Sequence, residues 1–412
     1  MTDRLPLNNQ VPIGFTDLFM QQASHQLWLI QSLRDLFARW GYDPVIPPTV
    51  AYAEGLSADL VPYVYRFFDR EGNTLALRAD LTLPVARIVG TRLYNQPLPL
   101  RLCYVERVFR HVDPQAGQRR EFTQAGVELV GVNTPQADAE VIALAADALQ
   151  TIGVQGLSLA VGQMAFFGSL LGEMELADAQ VDRIKTAIDR RNDLHLREVL
   201  QETDLPPSMH TLLRALPTLT GGREVIARAR NLTPVQTAQD ALDRLEAVLD
   251  LLEAYGLSDV VLVDLGEVRG MDYYTGIVFQ GYASGLGSAI CSGGRYDTLI
   301  QQFGPDLPAV GFGMDIGLVR LITDPHIPGG PDIIVQNCGH PSCCAIVSEI
   351  RKHGWRVIVD ALERTEQDLI AYAAARGARA AVCRRDHWQI VALDGSTHSV
   401  STDRILEEYK TW

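Results

Sequence analysis

Two alternating runs between Leu98 and Gly131 carry the first residues whose types and spacing suggest chemistry. In the first run Leu102, Tyr104, Glu106, Val108 and Arg110 share one face, because side chains along a strand alternate with period two. In the second run Gln124, Gly126, Glu128 and Val130 share one face, while Thr123, Ala125, Val127 and Leu129 form a mostly apolar opposite face. Paired as a hairpin, the runs bring Tyr104, Arg110, Gln124 and Glu128 together. A phenol, a guanidinium, an amide and a carboxylate on one sheet face are costly to bury unless they pair or meet a polar ligand. Taken alone, the hairpin reads at least as well as a solvated face with cross-strand ion pairs. A second stretch, Arg269-Gly270-Met271-Asp272-Tyr273-Tyr274-Thr275-Gly276, leads into Ile277-Val278-Phe279 and, past a glycine-rich turn, Ser292-Gly293-Gly294-Arg295-Tyr296-Asp297. Its glycines let backbones approach closely, and Arg269 offers a planar fork suited to a carboxylate. By itself this stretch also fits a hairpin with structural glycines and two half-buried tyrosines. Gly285-Leu286-Gly287 is not a dinucleotide fingerprint, since it lacks the third glycine and a following helix.

The elements that must position these groups are legible in outline. Asp17 to Trp40 carries a wide apolar stripe (Leu18, Phe19, Leu27, Trp28, Ile30, Leu33, Leu36, Phe37, Trp40) at helical spacing and ends at Gly41, which predicts one long helix facing mostly into the core. Pro44, Pro47 and Pro48 bar its continuation. Strand-like pieces follow at 66–68 and 74–77, then a turn into 81–89, and a polar loop from His111 to Arg120 separates the hairpin runs. Residues 136–152 are Ala-rich and helical. From Gly172 to about Tyr255 the chain is charged and helix-periodic, broken at Pro206-Pro207, Pro217 and Gly221-Gly222, and β-character resumes at Val260. Asp315 to Ile322 reads as a short helix, and Pro325 to Pro331 as a linker. Beyond it, 332–335, 345–353, 355–359, 367–376 and 380–383 alternate strand and helix, as a small α/β domain does.

Length and composition bound the function. The 412 residues suit two or three domains. With 36 Lys plus Arg against 50 Asp plus Glu, the formal net charge of −14 argues against broad capture of a polyanion such as tRNA. No apolar run approaches the ~20 residues of a membrane span, and the start lacks the layout of a secretory signal. The six cysteines (103, 291, 338, 343, 344, 383) form no C-x-x-C pair, and Cys343-Cys344 are too close for an ordinary disulfide or a two-ligand zinc knuckle. These features point to a soluble chain in a reducing cytoplasm.

With the motifs assembled, a resemblance becomes specific. The 269–276 stretch with Gly293-Gly294-Arg295-Tyr296-Asp297 resembles the histidine-recognition signature of histidyl-tRNA synthetases and of their paralogue, the regulatory subunit of ATP phosphoribosyltransferase. Phe109 to Gln124 resembles the class II synthetase motif 2 strand, loop and strand, and Leu77 to Thr82 resembles a further ligand-binding stretch. The likeness spans residue 10 to about 322. Departures from the synthetase pattern separate the two families. Val112 stands where synthetases place a Glu that organises ATP and its metal, and Gln118 stands where an Arg follows the loop glycine, although Arg119 and Arg120 remain. Aligned through Gly311-Phe312-Gly313-Met314, Leu318 falls where an Arg contacts the ATP phosphates, and Arg320, about 200° further around a helix, should face elsewhere. Ala79-Asp80-Leu81 has the form of the paralogue rather than the Pro-Glu-Gly of synthetases.

The resemblance implies a class II aminoacyl-tRNA synthetase-like α/β (α+β) fold, an antiparallel sheet with flanking helices. It divides the chain into a core at 1–171 and 256–324, a helical insertion at 172–255, and a C-terminal α/β domain at 331–412 resembling a diverged anticodon-binding domain. It implies a histidine pocket in which Arg269 holds the ligand carboxylate, Asp80, Thr82 and Gln124 its amino group, and Glu128, Tyr104 and Tyr274 its imidazole, with Arg110 and Tyr273 completing the set. That set suits a zwitterion bearing an imidazole, which needs an Arg, a carboxylate and a further acceptor for the ring N–H. No catalytic residue, metal or cofactor is expected. The implied role is a non-catalytic regulatory subunit of ATP phosphoribosyltransferase in the first step of histidine biosynthesis, allosterically activating the short catalytic subunit and mediating histidine feedback. A core homodimer within a hetero-octamer, free of membrane and tRNA, goes with it. The alternatives are an active histidyl-tRNA synthetase and a histidine-binding protein with another target.

Overall fold

The two alternating runs do pair: Leu100–Phe109 and Glu121–Val130 form an antiparallel hairpin with Tyr104 opposite Gly126 and Glu106 opposite Gln124. The computed structural model describes residues 9–55, 61–112, 119–172, 174, 176–233, 235–268, 273–325, 327, 329–384, 387–401 and 404. They fall into two units, Met1–Pro325 and His326–Trp412. In the first, the hairpin continues antiparallel through Ala309–Asp315, Cys291–Arg295, Ile277–Tyr282 and Ser158–Gln163. Val261–Asp264 then joins in parallel, and Asp43–Pro44 and Thr220–Gly221 close the two edges. A separate three-stranded sheet, Val50–Tyr52, Thr74–Leu77 and Arg66–Phe68, stands beside them.

Alternation decides what each sheet face meets. Ala125, Val127 and Leu129 of the apolar face pack with Leu29, Leu33 and Phe37 of the helix Gln21–Arg39 and with the helix Pro135–Thr151 in the main core. The second helix starts cleanly because Thr134 accepts the Ala137 N–H at 3.3 Å and Pro135 occupies the first turn. Its alanines let it lie close on the sheet. The opposite face buries Leu102, Tyr104, Val108 and Val130 with Leu81 and Tyr296 in a second cluster.

Two expectations need correcting. The first helix begins at Gln21 rather than Asp17, because Met20 sits at φ 49°, a left-handed conformation no helix includes. Strands also continue past residue 383: His387–Val391 and Thr397–Ser401 extend the second unit's sheet antiparallel, after Val357–Val359, Ile333–Val335 and Arg379–Arg384 have paired in parallel. Among the described residues of 172–255 there are five α-helices, from Asp178–Asp189 to Gln236–Ala254, and these share the main apolar core. Asp138, 0% exposed, ties them in by accepting from Arg244 of Gln236–Ala254 (2.7 Å) and from Arg295 of Cys291–Arg295 (2.7 Å).

Candidate functional site

The hairpin, the helix start at Thr82 and the strands Ile277–Tyr282, Cys291–Arg295 and Ala309–Asp315 wall a cavity of ≈ 360 Å³. Asp80, Thr82, Arg110, Gln124, Glu128, Tyr273 and Tyr274 all line it. Tyr104 does not reach the wall. It stands behind Glu128, 2% exposed, and donates its hydroxyl to Oε1 of that carboxylate at 3.1 Å. Arg269 lies outside the described residues.

Glu128 organises the deepest polar group. It is 1% exposed and takes hydrogen bonds from the hydroxyls of Tyr104, Tyr296 and Thr82. Burial pushes it up to about 7, against those three donors. Tyr296, which the sequence places in the Gly293–Asp297 signature without a role in the pocket, is thus a direct partner of the central carboxylate. Strand register places it: Arg295 pairs with Val310, the Tyr296 N–H donates to the Ala309 carbonyl at 2.8 Å, and the ring joins Tyr104 in the second buried cluster.

Close approach of backbone makes the carboxylate fit. Gly311 lies opposite Glu128, and a Cβ there would fall 1.8 Å from Oε2. Gly313 does the same for Gln124, whose Nε2 would be 2.3 Å from a Cβ. Any side chain at either position would displace a wall residue.

The cavity also holds acceptors that lack donors. Asp80 Oδ2 and Gln124 Oε1 are buried and have no hydrogen-bond partner among the described residues. Burial raises Asp80 to about 6, although the Arg110 guanidinium and the Leu83 N–H oppose it. Arg110 is itself fixed, donating Nε to the carbonyl of Ala79 at 2.8 Å while lying over the Phe122 ring. Arg78 anchors the same loop by donating to the carbonyls of Pro47 and Arg107 and to Glu106 at 3.0 Å. At the far wall Glu267 accepts from Gln280 at 2.8 Å, and burial with the nearby Asp264 and Asp189 charges lifts it to about 7. Three carboxyls titrating well above their ordinary range therefore face one cavity, which a cationic, donor-rich ligand would satisfy.

The positions that separate the two families behave differently from the pocket. Leu318, in the helix Ile316–Ile322, packs against the main apolar core. Arg320 has no hydrogen-bond partner for Nε among the described residues, and burial followed by the Arg119 charge lowers its pKa. Val112 bonds through its backbone: its carbonyl accepts from Arg120 Nε at 3.0 Å and its N–H donates to the Arg110 carbonyl at 3.0 Å.

The sheet order and the cavity framed by hairpin and glycine-rich strands define a histidyl-tRNA synthetase-like fold. The histidyl-tRNA synthetase family model matches residues 14–319. A solved histidyl-tRNA synthetase from Nostoc sp. PCC 7120 superimposes with TM-score 0.81 over 98% of this chain and 100% of that one, at 21% identity, which speaks for fold alone. Sequence identity narrows the assignment. The ATP phosphoribosyltransferase regulatory subunit of Moorella thermoacetica is 40% identical over 387 residues, 92% of this chain and 98% of the relative. That of Syntrophotalea carbinolica is 38% identical over 411 residues, 96% of each. A crystal structure described as an ATP phosphoribosyltransferase regulatory subunit/histidyl-tRNA synthetase from Bacillus halodurans C matches with TM-score 0.83 and 32% identity, over 92% of this chain and 99% of that one. The chain belongs to the ATP phosphoribosyltransferase regulatory subunit family, the paralogues of histidyl-tRNA synthetases. Among the described residues no helix is long and apolar enough to cross a membrane.

Proposed function

We propose that this chain is the non-catalytic regulatory subunit of a short-form ATP phosphoribosyltransferase, and that free L-histidine in the cavity carries feedback to the first step of histidine biosynthesis. The observation that carries the reading is the pair of buried acceptors, Asp80 Oδ2 and Gln124 Oε1, which have no donor among the described residues and lie beside the hydroxyl-bound Glu128. An α-ammonium supplies the first two with donors, with Thr82 alongside. An imidazole N–H meets Glu128, with Tyr104 behind it and Tyr273 and Tyr274 closing over the ring. Arg110 balances the charge of Asp80, and Arg269 takes the ligand carboxylate. With Leu318 turned to the core and Val112 neutral, the phosphate and metal contacts of ATP lose two side chains, which supports a sensor without adenylation chemistry.

The same reading takes in the partner's activation, a core homodimer within a cytoplasmic hetero-octamer, and no tRNA ligand, the last supported by the net charge of −14. It also keeps the division into core (1–171, 256–324), helical insertion (172–255) and C-terminal domain (331–412). The test mixes the full chain with a short ATP phosphoribosyltransferase. A stable complex by size-exclusion chromatography, raised activity and histidine inhibition are expected, because a regulatory ligand acts only through differential affinity for two states of a shared assembly. Glu128→Gln or Tyr274→Phe should weaken inhibition while sparing co-elution. No complex, or inhibition indifferent to both substitutions, overturns the proposal, and histidine-dependent ATP–pyrophosphate exchange returns the chain to the synthetases.

A further inference from the structure

In the second unit the parallel pairing of Ile333–Val335 with Arg379–Arg384 is carried one residue further by the Gln336 N–H, which donates to the Ala381 carbonyl at 2.8 Å. Two residues on from each of these, Cys338 and Cys383 emerge at the same end of the sheet. The chain then enters the helix Pro341–Lys352, whose first turn carries Cys343. Cys343 Sγ lies 2.7 Å from Cys338 Sγ and 3.1 Å from Cys383 Sγ, and the three sulfurs all lie within 4.8 Å of one another. Spacing hides the set, because Cys383 follows Cys343 by 40 residues.

Packing alone does not account for it. Cys343 and Cys383 touch the apolar cluster around Ile333, Val347 and Trp388, but Cys338 is exposed and still turns its sulfur inward to the other two. The two short separations lie inside the ~3.5–4.0 Å at which non-bonded heavy atoms normally rest. All six cysteines are free thiols.

We propose that Cys338, Cys343 and Cys383 bind one thiophilic d10 cation, Zn2+ or Cu+, as three thiolates. Soft sulfur ligands select such ions over Mg2+ and Ca2+. Three sulfur–metal bonds form, the thiol protons leave to solvent, and no electrons are exchanged. Three protein ligands with one at the surface leave a fourth position for water or an exogenous donor on Zn2+, while Cu+ accepts the trigonal set as it stands. The ion would clamp loop, helix and strand at one end of the sheet.

The test uses the full chain, reduced and handled without oxygen. Co2+, a spectroscopic stand-in for Zn2+, should give a sulfur-to-cobalt charge-transfer band that saturates at one ion per chain and is bleached by Zn2+. A parallel titration with Cu+ against a chromophoric chelator decides between the two ions. Cys338→Ser, at an exposed position that folding does not need, and Cys383→Ser should each weaken binding at least about tenfold, whereas Cys344→Ser should leave it unchanged. Failure of both cations to bind overturns the proposal, as does an affinity unchanged from the parent in Cys338→Ser or Cys383→Ser. So does a mass showing that a Cys338–Cys343 disulfide survives the reductant and keeps either ion out.

Discussion

Asp80→Asn is expected to make the empty protein more stable and the ligand bind worse, and both effects follow from one buried carboxylate. Asp80 is 4% exposed and is lifted from 3.8 to about 6 chiefly by burial. The gap corresponds to about 3 kcal/mol by which the fold disfavours the ionised form relative to the unfolded chain. Because the folded pKa of this acid is raised, the penalty is absent below the unfolded value near pH 4, grows between about 4 and 6, and is fully present above. Asn keeps the acceptor that caps the Leu83 N–H but adds an amide N–H2 to a polar site, which returns about 1 kcal/mol of desolvation cost. A net gain of about 2 kcal/mol should remain at pH 8, falling to about half a kcal/mol near pH 5 and turning into a loss of similar size near pH 4, where the carboxyl penalty has faded and the amide cost has not. Urea unfolding of the variant and the parent at the three pH values measures it. In calorimetry the variant should bind histidine roughly 30- to 150-fold more weakly, since an ammonium loses its ionic partner, at about 2–3 kcal/mol. A variant less stable than the parent at pH 8, or an increment that ignores pH, would refute the electrostatic account. Stability gained without any loss of histidine affinity would refute the ligand's placement.

Two further outcomes follow from the same geometry. Tyr296→Phe removes a donor from Glu128 and should cost histidine affinity about 1–3 kcal/mol, read by calorimetry, while raising the pKa of Glu128 further above about 7. Asp138→Asn strands the two guanidiniums of Arg244 and Arg295 at a buried position and should destabilise the first unit by about 3–5 kcal/mol in urea unfolding, with any residual folded protein keeping its histidine pocket.

What the sequence disclosed and what it concealed divide along physical lines. Period-two alternation assigned Gln124 and Glu128 to the cavity and Ala125, Val127 and Leu129 to the core, because a strand fixes side-chain direction from neighbouring positions alone. The same alternation put Tyr104 on the right face but could not set its depth, which depends on Gly311 and Gly126 letting Glu128 and the phenol stack inward. Tyr296 was hidden because its role arises from a contact 168 residues away. Arg295, in the same signature, turned out to serve the fold through Asp138 rather than the cavity. The helix start at Gln21 depended on one backbone angle at Met20, which no hydrophobic pattern encodes. The last two strands of the second unit are short and alternate weakly, so their assignment required the partner strand Arg379–Arg384.

The arrangement of charge around the cavity carries a consequence beyond binding. Asp80, Glu128 and Glu267 each stand above their ordinary range because the fold buries them, so the empty first unit holds three carboxyls at an electrostatic cost near neutral pH. A cationic donor group entering the cavity lowers those values and removes part of the cost, and linkage requires that it stabilise the fold by the same free energy. Glu128 and Gln124 lie on one strand, Glu128 is bonded to Tyr296 at the end of Cys291–Arg295, and Glu267 is bonded to Gln280 of Ile277–Tyr282. Relief of the charge therefore acts on strands that run through the centre of the nine-stranded sheet rather than on a peripheral loop. Under the proposed reading, histidine is felt as a tightening of that sheet, and amide hydrogen exchange should slow across Glu121–Val130 and Ala309–Asp315 when histidine is added. Protection confined to the loops around the cavity would show that the ligand is held without being transmitted.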